Sequence, residues 1–156
     1  REGVGMTDFI AQDPNFQVRI EKSFHAQGLM GHLGAGLVSV SPGTCEIELP
    51  FSDAVSQQHG FFHGGVIGII ADTAGGYAAF TLMDADDGIL TVEYKINMMA
   101  PASGELLIGR GQVLRSGRTL TVSQAEVSVV KDGKETVCAA MQQTLMRIVG
   151  RADVFG

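Results

Sequence analysis

The chain has 156 residues, of which 45% are hydrophobic, and a formal net charge of -6 at pH 7. This length and composition allow one domain to bury a sizeable core without a disulfide framework or a metal. The acidic balance and the lack of any Lys or Arg run argue against a nucleic-acid partner. No apolar stretch reaches the roughly 20 residues that span a membrane, and residues 1–11 carry no signal-peptide pattern. Cys45 and Cys138 lack metal-ligand spacing, so we expect small buried thiols in a cytoplasmic protein.

The first predicted element is an amphipathic helix over residues 14–27. Three large apolar residues recur at helical spacing: Phe16, Ile20 and Phe24. The pattern stops near Gly28, and we expect this helix to lie across the sheet or across the mouth of a binding tunnel. We assign residues 1–29 to an N-terminal segment, residues 30–150 to one domain and residues 151–156 to a C-terminal tail.

A hairpin follows over residues 35–41 and 44–50, joined by Pro42 and Gly43. Its second strand alternates between an apolar side with Cys45, Ile47 and Leu49 and a side with Glu46 and Glu48. The alternation predicts a hairpin with one face in water.

Four later segments predict further strands. Residues 90–98 alternate, which sets Thr91 on the outward side, opposite Tyr94. Segments 104–115, 118–130 and 134–147 complete a meander, with Asp132 and Gly133 supplying its last turn. Five or six strands with one long helix between the second and third predict an α+β architecture, an antiparallel sheet wrapped around that helix.

A single carboxylate, Asp72, lies in the middle of this helix, which begins at a Gly-Gly pair and is otherwise almost all apolar or glycine. On a helical projection, the residues nearest its direction are Gly65, Gly68, Ile69, Gly75, Gly76 and Ala79. Four helical glycines cost roughly 4 kcal/mol relative to alanine, so another group must come close to this backbone. Two interpretations remain: a ligand approaches Asp72 for chemistry, or another element packs tightly there and hydrogen-bonds Asp72 at the seam.

The residues around Asp72 form a recognisable motif. His63, Gly64 and Gly65 start the helix, and Asp72 and Ala74 follow on it. This pattern resembles the signature HGGxxxxxxDxA of hotdog-fold thioesterases of the PaaI-like branch. The flanking segments 33–51, 90–102 and 113–127 also resemble the family, so the resemblance covers roughly residues 30–147. It implies the hotdog fold.

The resemblance implies hydrolysis of an acyl-CoA thioester to a free acid and coenzyme A, with no cofactor and no metal. The Gly64 amide, at the positive end of the helix, can donate to the thioester oxygen as negative charge develops there. Asp72 then acts either as a general base for water or as a nucleophile. By position, the resemblance adds Thr91, which helps to hold the attacking water, and the side-chain amide of Gln57, for which the neighbouring Gln58 is an alternative.

Helix geometry predicts a site shared by two subunits. Gly64 and Asp72 lie roughly 12 Å apart along one helix, too far to serve one carbonyl together. The resemblance implies that each helix start faces the Asp of a partner in a homodimer, which commonly doubles to a tetramer.

An acidic protein needs local positive groups to bind an anionic coenzyme A ester. Arg115 and Arg118, in a tight turn, are either such groups or solvated turn arginines. The resemblance places coenzyme A contacts on this turn and on the segment after the strand at 90–98. The candidate substrate-binding residues are Gln58, Gly65, Met99, Ala100, Pro101, Arg115, Ser116, Gly117, Arg118 and Thr119.

Two other functions fit the same fold. Hotdog-fold dehydratases pair a His with a carboxylate, which would give His63 a chemical role, whereas we interpret His63 as a helix cap or turn residue. A non-catalytic acyl-CoA binding module would keep the tunnel without needing Asp72. Phe and Met residues near the motif suit either an aromatic or an aliphatic acyl group, so the sequence leaves the acyl group open.

Overall fold

A computed structural model describes residues 8–151. Most of the stretch considered for a signal peptide, and most of the predicted C-terminal tail, lie outside the described residues. The elements in chain order are α1 (Phe16–Ala26), α2 (Gly28–Leu33), β1 (Gly36–Ser41), β2 (Thr44–Pro50), a short 3-10 helix (Asp53–Val55), α3 (Gly64–Phe80), β3 (Gly88–Met98), β4 (Leu106–Ser116), β5 (Leu120–Lys131) and β6 (Lys134–Ile148).

The six strands form one antiparallel sheet in the order β1-β2-β4-β5-β6-β3. The predicted α+β architecture is confirmed, and so is the β1-β2 hairpin, in which Cys45, Ile47 and Leu49 are buried. The turn from β5 to β6 has Asp132 and Gly133 at φ 52° and 76°, as expected of the Asp-Gly pair.

The long helix α3 packs on one face of this sheet because two glycines of β4 let its backbone come close. A side chain at Gly109 would collide with Ile70, and one at Gly111 would collide with the carbonyl group of Ala74. Ile70 and Ala74 are fully buried. Within residues 8–151, no helix has the length and apolar character needed to cross a membrane.

The N-terminal helix ends close to its predicted end, and a second, unpredicted helix follows it. The helix α1 ends at Ala26. The next residue, Gln27, has an extended backbone (ψ 109°), and α2 begins after it. The buried Phe24 of α1 packs on Tyr77 of α3, with ring centroids 6.0 Å apart. The predicted stop near Gly28 is therefore confirmed to within two residues, whereas the second helix, which begins at Gly28, was not predicted.

The strand β3 corrects the predicted orientation of Thr91. Its pairing with β6 shifts register between Thr91 and Glu93, so Thr91 pairs with Leu145 while Tyr94 pairs with Gln143. An extra residue in one strand reverses the alternation beyond it. Thr91 and Tyr94 therefore lie on the same face, towards α3, rather than on opposite faces.

Both cysteines are buried free thiols, as predicted. Burial raises the pKa of the Cys45 thiol to about 12.

Candidate active site

The Asp72 carboxylate receives hydrogen bonds from two strands. Thr91 Oγ1 of β3 donates to Asp72 Oδ1 at 2.8 Å, and Gln143 Nε2 of β6 donates to the same oxygen at 2.8 Å. The Gln143 amide also lies 3.4 Å from the Asp72 carbonyl oxygen. Both side-chain bonds end on Oδ1, so they leave Oδ2 to other partners.

Asp72 lies at the edge of a cavity of about 370 Å³ between α1, α3 and the strands β3 and β6. The lining residues are Ser23, Ala26, Gln27, Asp72, Thr73, Gly76, Tyr77, Phe80, Ile89, Thr91 and Leu145. The predicted position of α1 across a binding cavity agrees with this lining.

Part of the cavity wall is a small polar network. The Tyr77 hydroxyl lies 3.1 Å from Ser23 Oγ and accepts a hydrogen bond from Gln27 Nε2 at 2.7 Å. Burial raises the pKa of Tyr77 above its ordinary value, although these two bonds oppose the shift. The cavity thus offers hydroxyl and amide groups beside the apolar side chains of Phe80 and Leu145.

The glycine face of α3 combines the two interpretations that the sequence left open. A side chain at Gly75 would overlap Gln143, so this glycine accommodates a packed group that hydrogen-bonds Asp72. A Cβ at Gly76 would lie 3.7 Å from Leu145 Cδ2, an ordinary contact, and Gly76 lines the cavity. Asp72 is therefore both held at a packing seam and open to a cavity.

His63 caps the start of α3, as expected. Its Nδ1 accepts from the Gly65 amide at 2.8 Å, and its carbonyl oxygen accepts from Val66 and Ile67 at 3.0 and 3.1 Å. The Gly64 amide takes part in none of these capping bonds to His63. As the first amide of the helix it has no preceding turn to donate to, so it is suited to bind a ligand.

Gln57 and Gln58 belong to the loop before this helix start. The Gln57 side-chain oxygen accepts from the His59 amide, so it is engaged within its own loop. Gln58 is exposed. The geometry does not select one of the two amides.

The start of α3 and Asp72 contact opposite ends of β3, because α3 runs antiparallel to β3. A Cβ at Gly64 would lie 3.7 Å from Met98 Cε, whereas Thr91, near the other end of β3, bonds Asp72. One chain therefore does not bring the Gly64 amide and the Asp72 carboxylate together.

The predicted coenzyme A contacts also divide between the Gly64 end and the Asp72 end of the α3-β3 contact. Exposed Met99, half-buried Ala100 and exposed Pro101 follow β3 at the helix-start end. Arg115, Ser116, Gly117, Arg118 and Thr119 are all exposed around the β4-β5 turn. Across the sheet, Ser116, Thr121, Leu145 and Thr91 form one row, so this turn lies at the Asp72 end.

Gln143 was not predicted from the sequence. A signal was available: Gln143 falls between Met141 and Leu145 in the inward row of β6, where a polar residue is unusual. In residues 8–151, no group of three or more His, Cys, Asp and Glu side chains could hold a metal ion.

Comparisons with known proteins agree with this architecture. Residues 59–136 match the thioesterase superfamily. The crystal structure of a thioesterase family protein from Silicibacter pomeroyi matches with a TM-score of 0.85 and 41% identity, over 86% of this chain and 99% of that one. The E. coli PaaI protein from the phenylacetic acid degradation operon has the same fold, with a TM-score of 0.78 and 20% identity over 88% of this chain and 96% of its own.

A sequence relative with a named substrate is the 1,4-dihydroxy-2-naphthoyl-CoA hydrolase of Listeria monocytogenes. It is 24% identical over 111 residues, which are 71% of this chain and 89% of that protein. The match to residues 59–136, the 41% identity to the S. pomeroyi protein and the sheet with its long helix α3 all indicate the same family. The chain belongs to the thioesterase superfamily and has its hotdog fold.

Proposed function

We propose that this protein hydrolyses acyl-CoA thioesters to a free acid and coenzyme A. The observation that carries the proposal is the Asp72 carboxylate, held through one oxygen by two strands beside a cavity of about 370 Å³. Membership of the thioesterase superfamily supports the reaction class. The name of the L. monocytogenes relative supports coenzyme A as the carrier.

In the proposed reaction, the Gly64 amide donates to the thioester oxygen and stabilises the negative charge that develops there. Asp72 either takes a proton from the attacking water or attacks the carbonyl itself to form a mixed anhydride. Thr91 orients the carboxylate and the water. Gln57 or Gln58 supplies an amide that orients the water or the carbonyl.

We further propose that the site forms between two copies of the chain. The strand β3 is an edge of the sheet, and its apolar residues are unusually open, with Leu90 45%, Val92 56% and Met98 49% exposed. Exposed apolar side chains along an open edge strand are typical of a surface that another chain covers.

A two-fold axis at this edge would also complete the site. Tyr94 lies midway along β3 between Thr91 and Met98. Because α3 runs alongside β3, a two-fold axis near Tyr94 would bring the start of α3 in one chain towards Asp72 of the other chain. The homodimer, or a pair of such dimers, is therefore the proposed active form.

For coenzyme A itself, we propose contacts on residues 99–101 after β3 and on the turn between β4 and β5. Arg115 and Arg118 bring two positive charges to an otherwise acidic protein. The segment Met99 to Pro101 lies beside the Gly64 end. In the proposed dimer, the helix start and Asp72 of different chains share a site, so the contacts at the two ends also come from different chains.

The alternative activities have less support. The Nδ1 atom of His63 caps α3, which leaves this ring a structural task that a dehydratase base would not have. A binding module would have no need for two donors on the Asp72 carboxylate.

A hydrolysis screen tests the proposal. Purified protein is assayed with acyl-CoA esters of increasing chain length and with phenylacetyl-type esters, with thiol release as the readout. We expect Asp72→Ala and Asp72→Asn to fold and assemble but to lose about 100-fold or more in turnover on the best substrate. Asp86→Ala, at an exposed loop carboxylate, is the matched control.

Wild-type turnover in folded Asp72→Ala protein would overturn the assignment of Asp72. Binding of acyl-CoA without any thiol release across the panel would favour the binding module instead.

A further inference from the structure

Gln143 is a fully buried amide in a row of apolar side chains. It lies on β6 between Met141 and Leu145, which are also buried. Its cross-strand neighbours are Tyr94 on β3 and Ser123 on β5. Burying the polar atoms of a glutamine costs free energy unless they find hydrogen-bond partners, so each contact of Gln143 bears on its role.

The amide is satisfied on one side only. Nε2 donates to Asp72 Oδ1 at 2.8 Å and lies 3.4 Å from the Asp72 carbonyl oxygen. Its Oε1 is buried without a hydrogen-bond partner among the described residues, and so is Ser123 Oγ. Both oxygens border the position that a side chain at Gly75 would occupy.

We propose that Gln143 is a positioning residue for the Asp72 carboxylate in the thioesterase reaction. Its amide fixes Oδ1 and the adjacent helix backbone from the buried side, while Thr91 fixes the same oxygen from β3. Oδ2 is thereby turned to the cavity for water or substrate. This inference rests on the proposed function, because it assigns Gln143 a task only if Asp72 reacts.

The packing favours this role over a structural one. A leucine or methionine would fill the same place between Met141 and Leu145 without leaving an oxygen unpaired. The orientation of the amide is also fixed by charge, because Oε1 turned towards the carboxylate would repel it. The glycine at position 75 gives Gln143 the room to reach Asp72.

The first test replaces the amide with an apolar side chain of similar length. We expect Gln143→Met to lower kcat about 10- to 100-fold, since a carboxylate misplaced by an ångström loses that order of rate. The KM for acyl-CoA should stay within about twofold, because Gln143 does not touch the substrate. The matched control is Gln142→Met at the exposed neighbour on the same strand, which should retain wild-type kcat.

The second test is Gln143→Glu, which keeps the shape but needs a proton to donate to Asp72. The ionisable side chains at this register are Asp72 on α3 and Tyr94 on β3, and β5 presents Ser123. At high pH two carboxylates face each other and repel, whereas at low pH one proton bridges them. We expect kcat relative to wild type to rise as pH falls from 8 to 5.5. Gln142→Glu should show no such change.

The outcomes separate the two proposals when Asp72→Ala is assayed alongside. If Asp72→Ala is inactive while folded Gln143→Met has wild-type kcat, or Gln143→Glu has a wild-type pH profile, the positioning role is overturned and the proposed function stands. If Asp72→Ala is fully active, both fail. Should Gln143→Met not fold, the pH profile of Gln143→Glu decides, measured where circular dichroism shows it folded.

Discussion

At the scale of single residues, one carboxylate oxygen carries two donors. Thr91 and Gln143 approach Asp72 Oδ1 from different strands, at 2.8 Å each. Bonds to an ionised acceptor are among the stronger protein hydrogen bonds, so together they hold the carboxylate in one orientation. The two donors differ in exposure: Gln143 is fully buried, while Thr91 remains exposed in the single chain although its side chain points to α3.

Removal of the Thr91 hydroxyl should lower turnover less than removal of Asp72. We expect Thr91→Val to lose about tenfold in kcat, the equivalent of about 1.4 kcal/mol, since one hydrogen bond to a charged group is lost while the reacting group stays. Thr91→Ser keeps the hydroxyl and should stay within about twofold of wild type. Steady-state kinetics on the best substrate checks both, and equal rates for Thr91→Val and wild type would exclude the role.

At the scale of elements, α3 serves packing and chemistry with neighbouring glycines. Gly75 faces Gln143 in the buried seam, whereas Gly76 borders the cavity next to it. The same residue type therefore meets two different requirements, one for close approach of a side chain and one for open space.

Alanine at these two positions should change stability in opposite directions. Gly75→Ala should lower the free energy of unfolding by about 1–2 kcal/mol, because an overpacked core outweighs the gain in helix propensity. Gly76→Ala should raise it by up to about 1 kcal/mol, because its Cβ makes only an ordinary contact. Urea unfolding at fixed protein concentration measures both.

A double substitution isolates the cause of the Gly75 effect. In a Gln143→Ala background the overlapping side chain is gone, so Gly75→Ala should no longer destabilise the fold. An equal loss in both backgrounds would show that something other than Gln143 constrains this position.

At the scale of the whole molecule, the two halves of the proposed site lie too far apart in one chain to act together. The Gly64 amide and the Asp72 carboxylate lie roughly 12 Å apart along α3. The open edge strand β3 runs beside both. Two copies paired at this edge would gain two composite sites and cover the exposed apolar side chains together.

Subunit complementation tests this arrangement. Asp72→Ala removes the carboxylate, and Gly64→Pro removes the amide donor at a helix position that tolerates proline. Each variant alone should be inactive. Unfolding and refolding an equal mixture should recover about a quarter of wild-type activity, because about half of random dimers are mixed and each has one intact site of two.

The control is each variant refolded alone, with mixed dimers identified by a tag on one chain. If tagged mixed dimers form and activity stays at the level of the single variants, the site lies within one chain and Gly64 is not the carbonyl donor.

Much of the fold follows from local patterns. Alternation predicted the hairpin at 35–50 and the later strands to within a few residues, because one buried face imposes a period of two. The helix start was predicted from His63 and the two glycines that follow it, and the cap has the expected form. These features depend on residues close together in the chain, which is why the sequence alone determined them.

The geometry around Asp72 was decided only by tertiary structure. Thr91 faces α3 because the pairing of β3 with β6 inserts an extra residue at this point, and alternation within β3 gives no sign of it. Gln143 reaches Asp72 because β6 lies between β5 and β3, an order that local sequence does not specify. The sequence by itself determined the six strands and the helices α1 and α3, since hydrophobic period and helix caps are local. Only the folded chain decided which side chains meet at the carboxylate, since their partners lie far apart in sequence and depend on strand order and register.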